Sequence, residues 1–228
     1  MTILIVFCTD KINGTSDKIT INLNIMLILV NILQYLSNIL MLDGSVCQVM
    51  AAFKHFLWAN VYGWTVALAW EIRRSHVKDE IYCKSVFEYC KYVWGSSLTI
   101  IFSSLVYSFN REQIYGPRKS GTCWFTNNIA CIACLAIPMA MSLSVSISKY
   151  LWVICRRGIS KDEPDEGAEN VKVYPILTTF LGMTWIVHCS ATVMPGSAMV
   201  LWHVFDALNG IQCFLILVTL LTRRLTVS

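Results

Sequence analysis

The chain has 228 residues, of which 56% are hydrophobic, 12% aromatic and only 14% charged, with a net charge of +4. Soluble domains carry roughly 25% charged residues, and the mean hydropathy of the chain is +0.57. This composition excludes an ordinary water-soluble domain, and it excludes a disordered tail or a nucleic-acid-binding arm because both need far more polar residues. We therefore expect an integral membrane protein that contacts membrane lipid.

Six apolar segments are long enough to cross a bilayer, which takes about 20 residues in a helix. In chain order they are about 20–42, 46–71, 90–110, 127–154, 174–194 and 199–221. The sequence thus predicts an all-α polytopic membrane helix bundle with six spanning helices, in a single transmembrane domain over residues 1–228. An even number of spans places both termini on the same side.

One segment within the fourth span has the period of a strand. Serine alternates with apolar residues over 142–148, which is the pattern of a half-buried strand. A single strand cannot satisfy its backbone polar groups in lipid, whereas a helix can. We therefore predict a helix there.

The Lys and Arg residues predict the orientation. With both termini in the cytoplasm, only Arg111, Arg118 and Lys119 fall in outer loops and Lys54 falls within a span, while the rest of the 18 cations lie on the cytoplasmic side. Cytoplasmic loops of membrane proteins are enriched in Lys and Arg. We therefore expect a multi-pass protein of the cell membrane with both termini in the cytoplasm.

The same topology sorts the ten cysteines. Cys47 begins the second span on the outer side, and Cys123 lies in the second outer loop. The other cysteines fall in spans or on the reducing cytoplasmic side, where disulfides are rare. We predict a Cys47–Cys123 disulfide.

Amide side chains form a stripe on the first span. Asn24, Asn31 and Asn38 recur every seven residues and so share one helix face, with Gln34 close to it. Because amides are costly in lipid, the stripe must face other helices or a wet cavity. Interhelical hydrogen bonds and a polar cavity wall are both open alternatives.

Lys54 is the cation that lies deep in a span, and Asp206 lies at a similar depth in the last span. Unpaired charges within a membrane are expensive, so one hypothesis is that the two side chains pair across the bundle. The alternative is that Lys54 extends along its helix to the outer surface. His203 lies on the same helix face as Asp206, and we expect it and His55 to be packed or cavity-lining histidines.

Nothing in the sequence predicts catalysis or a cofactor. It contains no zinc-protease H-E-x-x-H, no G-x-S-x-G and no glycine loop for phosphate. No His, Cys, Asp or Glu spacing predicts a metal site. We expect a protein that is not an enzyme and binds no nucleic acid.

Five different short motifs follow one another along the chain. They are Cys47-x16-Trp64-x6-Glu71, Tyr89-x-x-Tyr92-x-Trp94-Gly95, Pro117 followed by Gly121-x-Cys123-Trp124-Phe125, Gly182-x-x-Trp185, and Asp206-x-x-Asn209-x-x-Gln212. Together, over about residues 19–221, they resemble the Methuselah-like branch of the secretin/adhesion-type G-protein-coupled receptors. Cys213 stands where that branch has Gly, which adds bulk at a close helix contact.

The resemblance implies that the six spans correspond to helices two to seven of a seven-helix receptor. It implies an extracellular ligand, such as a peptide or a tethered segment, and a heterotrimeric G protein on the cytoplasmic face. It also implies that the chain is an incomplete receptor, without the extracellular domain and first helix, that does not couple alone.

The resemblance further implies roles for individual residues. The residues implied to border a ligand cavity are Lys54, Trp124, His203 and Asp206. The residues implied to act in switching or packing are Trp64, Glu71, Trp94, Gly182, Trp185, Asn209 and Gln212. The residues implied to face the G protein are Arg73, Arg74, Arg156, Arg157 and Lys172.

Two other functions fit the pattern. A small six-helix transporter would use Lys54, Asp206 and the amide stripe as a substrate path. A non-signalling membrane partner of full-length receptors would need no ligand.

Overall fold

The computed structural model describes residues 14–40, 42, 44–75, 85–110, 113–117, 122–159, 184, 200, 204–205, 207–216 and 218. The described part is mostly helical, with one short hairpin. Its elements are α1 (Thr15–Ile39), α2 (Gly44–Ser75), α3 (Val86–Asn110), β1 (Tyr115–Pro117), β2 (Cys123–Phe125), α4 (Asn128–Cys131), a π-helical segment (Ile132–Ala136), α5 (Ile137–Ile159) and α6 (Ala207–Ile216).

Three described helices are long and apolar enough to cross a membrane. They are Thr15–Ser37, Val86–Asn110 and Asn128–Arg156, and they match the first, third and fourth predicted spans. The second predicted span coincides with α2, whose 32 residues extend over about 48 Å. The fifth lies outside the described residues except for Thr184, and the sixth is described only in part. The six-span count therefore stays a prediction.

Helix α2 lies at the centre of the described bundle. Helices α1, α3 and α5 and both strands pack against it, and Trp58, Val61, Trp64 and Leu68 on it are almost completely buried. A Cβ on Gly63 would lie 2.7 Å from Val93 Cγ1. Glycine at this position therefore lets α2 and α3 approach closely, as small residues do between membrane helices.

The serine run of the fourth predicted span is helical, as expected. The hydroxyls of Ser142, Ser144 and Ser146 each donate to the carbonyl four residues earlier, at 2.8–2.9 Å. Each serine is thus satisfied by its own helix, which explains why a strand-like period does not produce a strand in an apolar setting.

Candidate functional site

The predicted disulfide is present in the structure. Cys47, at the start of α2, is bonded to Cys123 of β2, with a Cα–Cα distance of 5.2 Å across 76 residues of sequence. Both cysteines are fully buried. The bond therefore fixes the hairpin to the first turn of α2, and we call this the disulfide end of the bundle.

The hairpin buries nearly all of its side chains against the bundle. Tyr115 pairs with Phe125, and Pro117 pairs with Cys123. Tyr115, Trp124 and Phe125 are each no more than 3% exposed. The hairpin therefore presents three aromatic side chains to the helices beneath it.

Lys54 lies beneath this hairpin. Its side chain is 1% exposed, and its Nζ donates to Gln34 Oε1 at 3.3 Å and to Ser37 Oγ at 3.0 Å. The same Nζ lies 5.0 Å from the centroid of the Trp124 ring, within the range of a cation–π interaction. The alternative that Lys54 extends to the outer surface is wrong, because its ammonium binds α1 and the hairpin inside the bundle.

Two of the residues expected beside Lys54 are not described. Asp206 and His203 lie outside the described residues, so the Lys54–Asp206 pair stays a prediction. Trp124, the other residue implied to border the cavity, contacts Lys54 directly.

His55 joins the hairpin to the helix that follows it. Its Nε2 is 3.1 Å from the Cys134 carbonyl, and its Nδ1 is 2.7 Å from the Tyr115 hydroxyl. A carbonyl only accepts, so Nε2 carries the hydrogen, and a neutral ring then accepts from Tyr115 through Nδ1. Burial raises the pKa of Tyr115 above its ordinary value, which keeps its hydroxyl protonated as a donor.

The Cys134 carbonyl is available to His55 for a local reason. In a regular helix this carbonyl would accept from the residue four positions later, which is Pro138, and proline has no N–H. Cys134 also lies in the π-helical segment, a distortion that is frequent at functional sites. The sequence predicted a packed or cavity-lining histidine at His55 but not this bond; Pro138, four residues after Cys134, was the available signal.

Two amides of the α1 stripe, Gln34 and Asn31, make interhelical hydrogen bonds. Gln34 accepts from Lys54 of α2, and Asn31 Nδ2 donates to Cys213 Sγ of α6 at 3.5 Å. Asn24 is buried, and the Asn38 side chain lies outside the described residues. Cys213, the position where the resemblance expects Gly, thus contacts the stripe.

At the opposite end of α2, which we call the basic end, Glu71 binds two partners. Its Oε2 accepts from the Tyr89 hydroxyl at 2.8 Å and lies 3.8 Å from Arg74 Nη1. Glu71 and Tyr89 belong to two different motifs of the resemblance, and the structure brings them together. The Tyr89 hydrogen bond joins α2 to α3.

The other residues implied in switching are buried, half-buried or undescribed. Trp64 is fully buried, and Asn209 and Gln212 of α6 are no more than 1% exposed. The Trp94 ring lies 5.5 Å from that of Phe56 in an edge-to-face arrangement. Gly182, Trp185 and Lys172 lie outside the described residues, as does the Arg157 side chain.

The described residues contain no group of three or more His, Cys, Asp or Glu side chains that could hold a metal ion. Cys131 is buried and Cys134 half-buried in the helix after the hairpin, and neither forms a disulfide.

Comparison with known proteins identifies the family. The family described as "7 transmembrane receptor (Secretin family)" matches residues 1–216. Adhesion G protein-coupled receptor F5 of Mus musculus is 27% identical over 186 residues, which cover 77% of this chain and 14% of the relative. Adhesion G-protein coupled receptor D1 of Bos taurus is 24% identical over 180 residues, covering 75% of this chain and 19% of the relative. The chain thus matches less than a fifth of the length of either relative, and it belongs to the secretin family of seven-transmembrane receptors, which are multi-pass membrane proteins and not enzymes.

Proposed function

We propose that this chain is the transmembrane domain of a G-protein-coupled receptor, which transmits an extracellular signal to a heterotrimeric G protein. The observation that carries the proposal is the disulfide-anchored hairpin bound to Lys54 and His55 of the central helix. Lys54 also binds α1, and His55 also binds the helix after the hairpin. A ligand that moves the hairpin would therefore also affect these two parts of the bundle.

The signal would pass as a shift between two arrangements of the helices. A ligand changes such an equilibrium only by its different affinity for the two states. Lys54 contacts Trp124 on the hairpin and Gln34 on α1, so a displaced Trp124 ring would weaken one contact of a buried cation. We propose that His203 and Asp206 complete the ligand cavity around Lys54 and Trp124.

The distribution of charge supports one orientation of the bundle. Arg73 and Arg74 end α2, and Arg156 lies near the end of α5, so the basic end of the described bundle has the composition of a cytoplasmic surface. We propose that this end faces the cytoplasm and binds the G protein, with the disulfide end outside.

Within the family, we propose the Methuselah-like type. The support is the contact between two motifs of that resemblance, in which Tyr89 donates to Glu71. Glu71 keeps the negative charge that the branch has as Asp, and the hydrogen bond gives that charge a role in joining α2 to α3.

Binding of the purified chain to G proteins tests the function. The 228-residue chain in lipid nanodiscs is expected to bind a nucleotide-free Gα subunit of at least one class and to release it when GTP is added. As an incomplete receptor, it should do so without a ligand-stimulated increase in nucleotide exchange. Arg74→Ala should weaken this binding, and Lys91→Ala, which removes an exposed cation of α3 that rests on Phe87, should not. If no Gα class binds in a nucleotide-sensitive way, the proposal is wrong.

Glycosylation mapping tests the orientation separately. An N-glycosylation acceptor inserted between β1 and β2 should be glycosylated in cells, and one inserted between α2 and α3 should not. The reverse pattern would contradict the proposed orientation and leave the fold unaffected.

A further inference from the structure

Three cations share two tryptophan rings between α2 and α5. Lys149 Nζ lies 4.0 Å from the centroid of the Trp70 ring, and Arg73 Cζ lies 5.7 Å from it. Arg73 Cζ also lies 4.7 Å from the Trp152 ring centroid, with Arg156 Cζ at 5.0 Å. We call these five residues the cation–tryptophan patch.

The patch has an excess of positive charge. Among the described residues, none of its three cations has an ion-pair partner; Glu71, the nearest acid along α2, pairs with Arg74. The sequence of α5 contains no Asp or Glu. Each cation–π contact is only weakly stabilising at an exposed site, while cations gathered on shared rings repel one another. A bound anion would relieve that repulsion.

The position of the patch points to the surface of the bilayer. The apolar stretch that includes α5 ends at Arg156, and tryptophan is enriched where membrane helices meet the headgroups. Trp70 is 45% exposed, and Arg156 is exposed while Arg73 and Lys149 are half-buried. The patch is therefore open at the level where lipid headgroups lie.

The chemistry of the side chains selects the headgroup. An arginine guanidinium binds phosphate through two parallel hydrogen bonds, and lysine adds a point charge. Lys149 and Arg156 are seven residues apart, or about 10 Å along the helix, so the patch is wide enough to bind more than one phosphate. Basic pockets between membrane helices bind anionic headgroups in this way.

We propose that the cation–tryptophan patch is a binding site for the phosphorylated headgroup of an anionic phospholipid. In this proposal Arg73 and Arg156 bind lipid and are not part of the G-protein-binding surface. Only the choice of leaflet, the cytoplasmic one, rests on the proposed function.

Native mass spectrometry of the full chain in nanodiscs tests the proposal. In phosphatidylcholine nanodiscs with a minor share of a doubly phosphorylated phosphatidylinositol, the chain should retain the inositol lipid in preference to phosphatidylcholine. With phosphatidylserine as the minor lipid, the preference should be weaker. Each of K149Q and R156Q should lower that preference about fivefold, and R73Q/K149Q/R156Q should lower it about a hundredfold. These values correspond to an attraction of about 1 kcal/mol for each cation near the membrane surface.

The matched control is K91Q, because Lys91 lies on one ring, that of Phe87, at 4.6 Å and has no second cation beside it in the described part of α3. It should leave the lipid preference unchanged. Thermal unfolding in phosphatidylcholine alone should be the same for K91Q, K149Q and R156Q, because each loses one ring contact. K149Q and R156Q, which alter partly exposed side chains, remain informative if the triple variant does not fold.

Three results would overturn the proposal. One is an equal loss of preference in K91Q. Another is that inorganic phosphate in phosphatidylcholine nanodiscs protects the chain from unfolding as strongly as the inositol lipid does, because the site would then bind the free anion and not the lipid. The third is an unchanged lipid preference in the triple variant together with lost Gα binding, which would make the patch a protein-binding surface. Since the nanodisc exposes both leaflets, lipid binding can succeed even if no G protein binds.

Discussion

At the disulfide end of α2, Lys54 is buried and binds Gln34 and Ser37, whereas at the basic end Arg73 lies on the partly exposed rings of Trp70 and Trp152. The buried cation needs several polar partners because an ammonium without them is costly away from water. The basic end keeps its cations near water and leaves them available to other molecules. The comparison shows one helix that binds its cation inside the bundle at the disulfide end and keeps its cations near the surface at the basic end.

The hairpin distinguishes the disulfide end of α2 from the basic end. It is attached covalently through Cys123 and noncovalently through Tyr115 and Trp124. The basic end has a single described ion pair, Glu71 with Arg74 at 3.8 Å, and such partly exposed pairs contribute little to stability. Substitutions at the disulfide end should therefore cost more than equivalent ones at the basic end.

The largest expected effect comes from removing the disulfide. Cys123→Ser should lower the stability of the chain in detergent by roughly 2–5 kcal/mol, because the bond closes a long loop and holds the hairpin on α2. Thermal unfolding with and without a reducing agent measures it. Cys155→Ser, which alters an exposed free thiol, is the control, and equal unfolding temperatures for both variants would show that the hairpin is held without the bond.

Lys54→Met should have the next largest effect. Methionine keeps an apolar side chain of similar length but removes the donor to Gln34 and Ser37, so we expect a loss of roughly 2–3 kcal/mol. The control is Lys91→Met on the exposed side of α3, expected to change stability by less than about 0.5 kcal/mol. Unfolding followed by circular dichroism compares the two, and a Lys54→Met chain as stable as the parent would remove the contrast between the ends.

Gly63 lies between the two ends, and its substitution tests whether α2 must approach α3 closely. Gly63→Ala places a Cβ 2.7 Å from Val93 Cγ1, so the helices must separate, at a cost of about 1–3 kcal/mol. Gly95→Ala adds the same atom where nothing lies within 4 Å and should leave stability unchanged or raise it. Val93→Ala combined with Gly63→Ala should restore part of the loss; no recovery would mean that another contact is responsible.

The same small change at each end gives the finest comparison. Tyr115→Phe removes the hydroxyl that donates to buried His55 and should cost about 1 kcal/mol. Tyr89→Phe removes the hydroxyl that donates to half-buried Glu71, which keeps Arg74 nearby and gains water, so the cost should stay below about 0.5 kcal/mol. Unfolding curves of the two variants measure both losses. An equal or larger loss of stability for Tyr89→Phe would contradict the expectation that substitutions at the disulfide end cost more.

Much of the fold was predictable because lipid leaves few alternatives. An apolar run of the required length must be helical, which is why the alternating serines after Pro138 form α5. The disulfide was predictable because the predicted orientation leaves Cys47 and Cys123 as the pair on the oxidising side. Neither inference needs to know which helices are neighbours.

The partners of the buried polar side chains were not predictable in the same way. His55 binds Tyr115 and Cys134, which are 60 and 79 residues away in sequence. Gln34 was placed on a polar stripe, but the stripe does not say which helix it faces. Lys149 and Trp152 carried no motif, and only the packing of α5 on α2 brings them beside Trp70 and Arg73.

The sequence by itself therefore determined a membrane protein with a helical fold, a covalent link between α2 and the hairpin, and the motifs of its receptor family. These properties depend on composition, period and the side of the membrane, which are local or additive along the chain. Only the tertiary structure decided that Lys54 binds α1 and the hairpin, that His55 binds the π-helical segment, and that three cations meet on two tryptophan rings. Those contacts depend on the rotation and neighbours of each helix, which the packing of α2 sets.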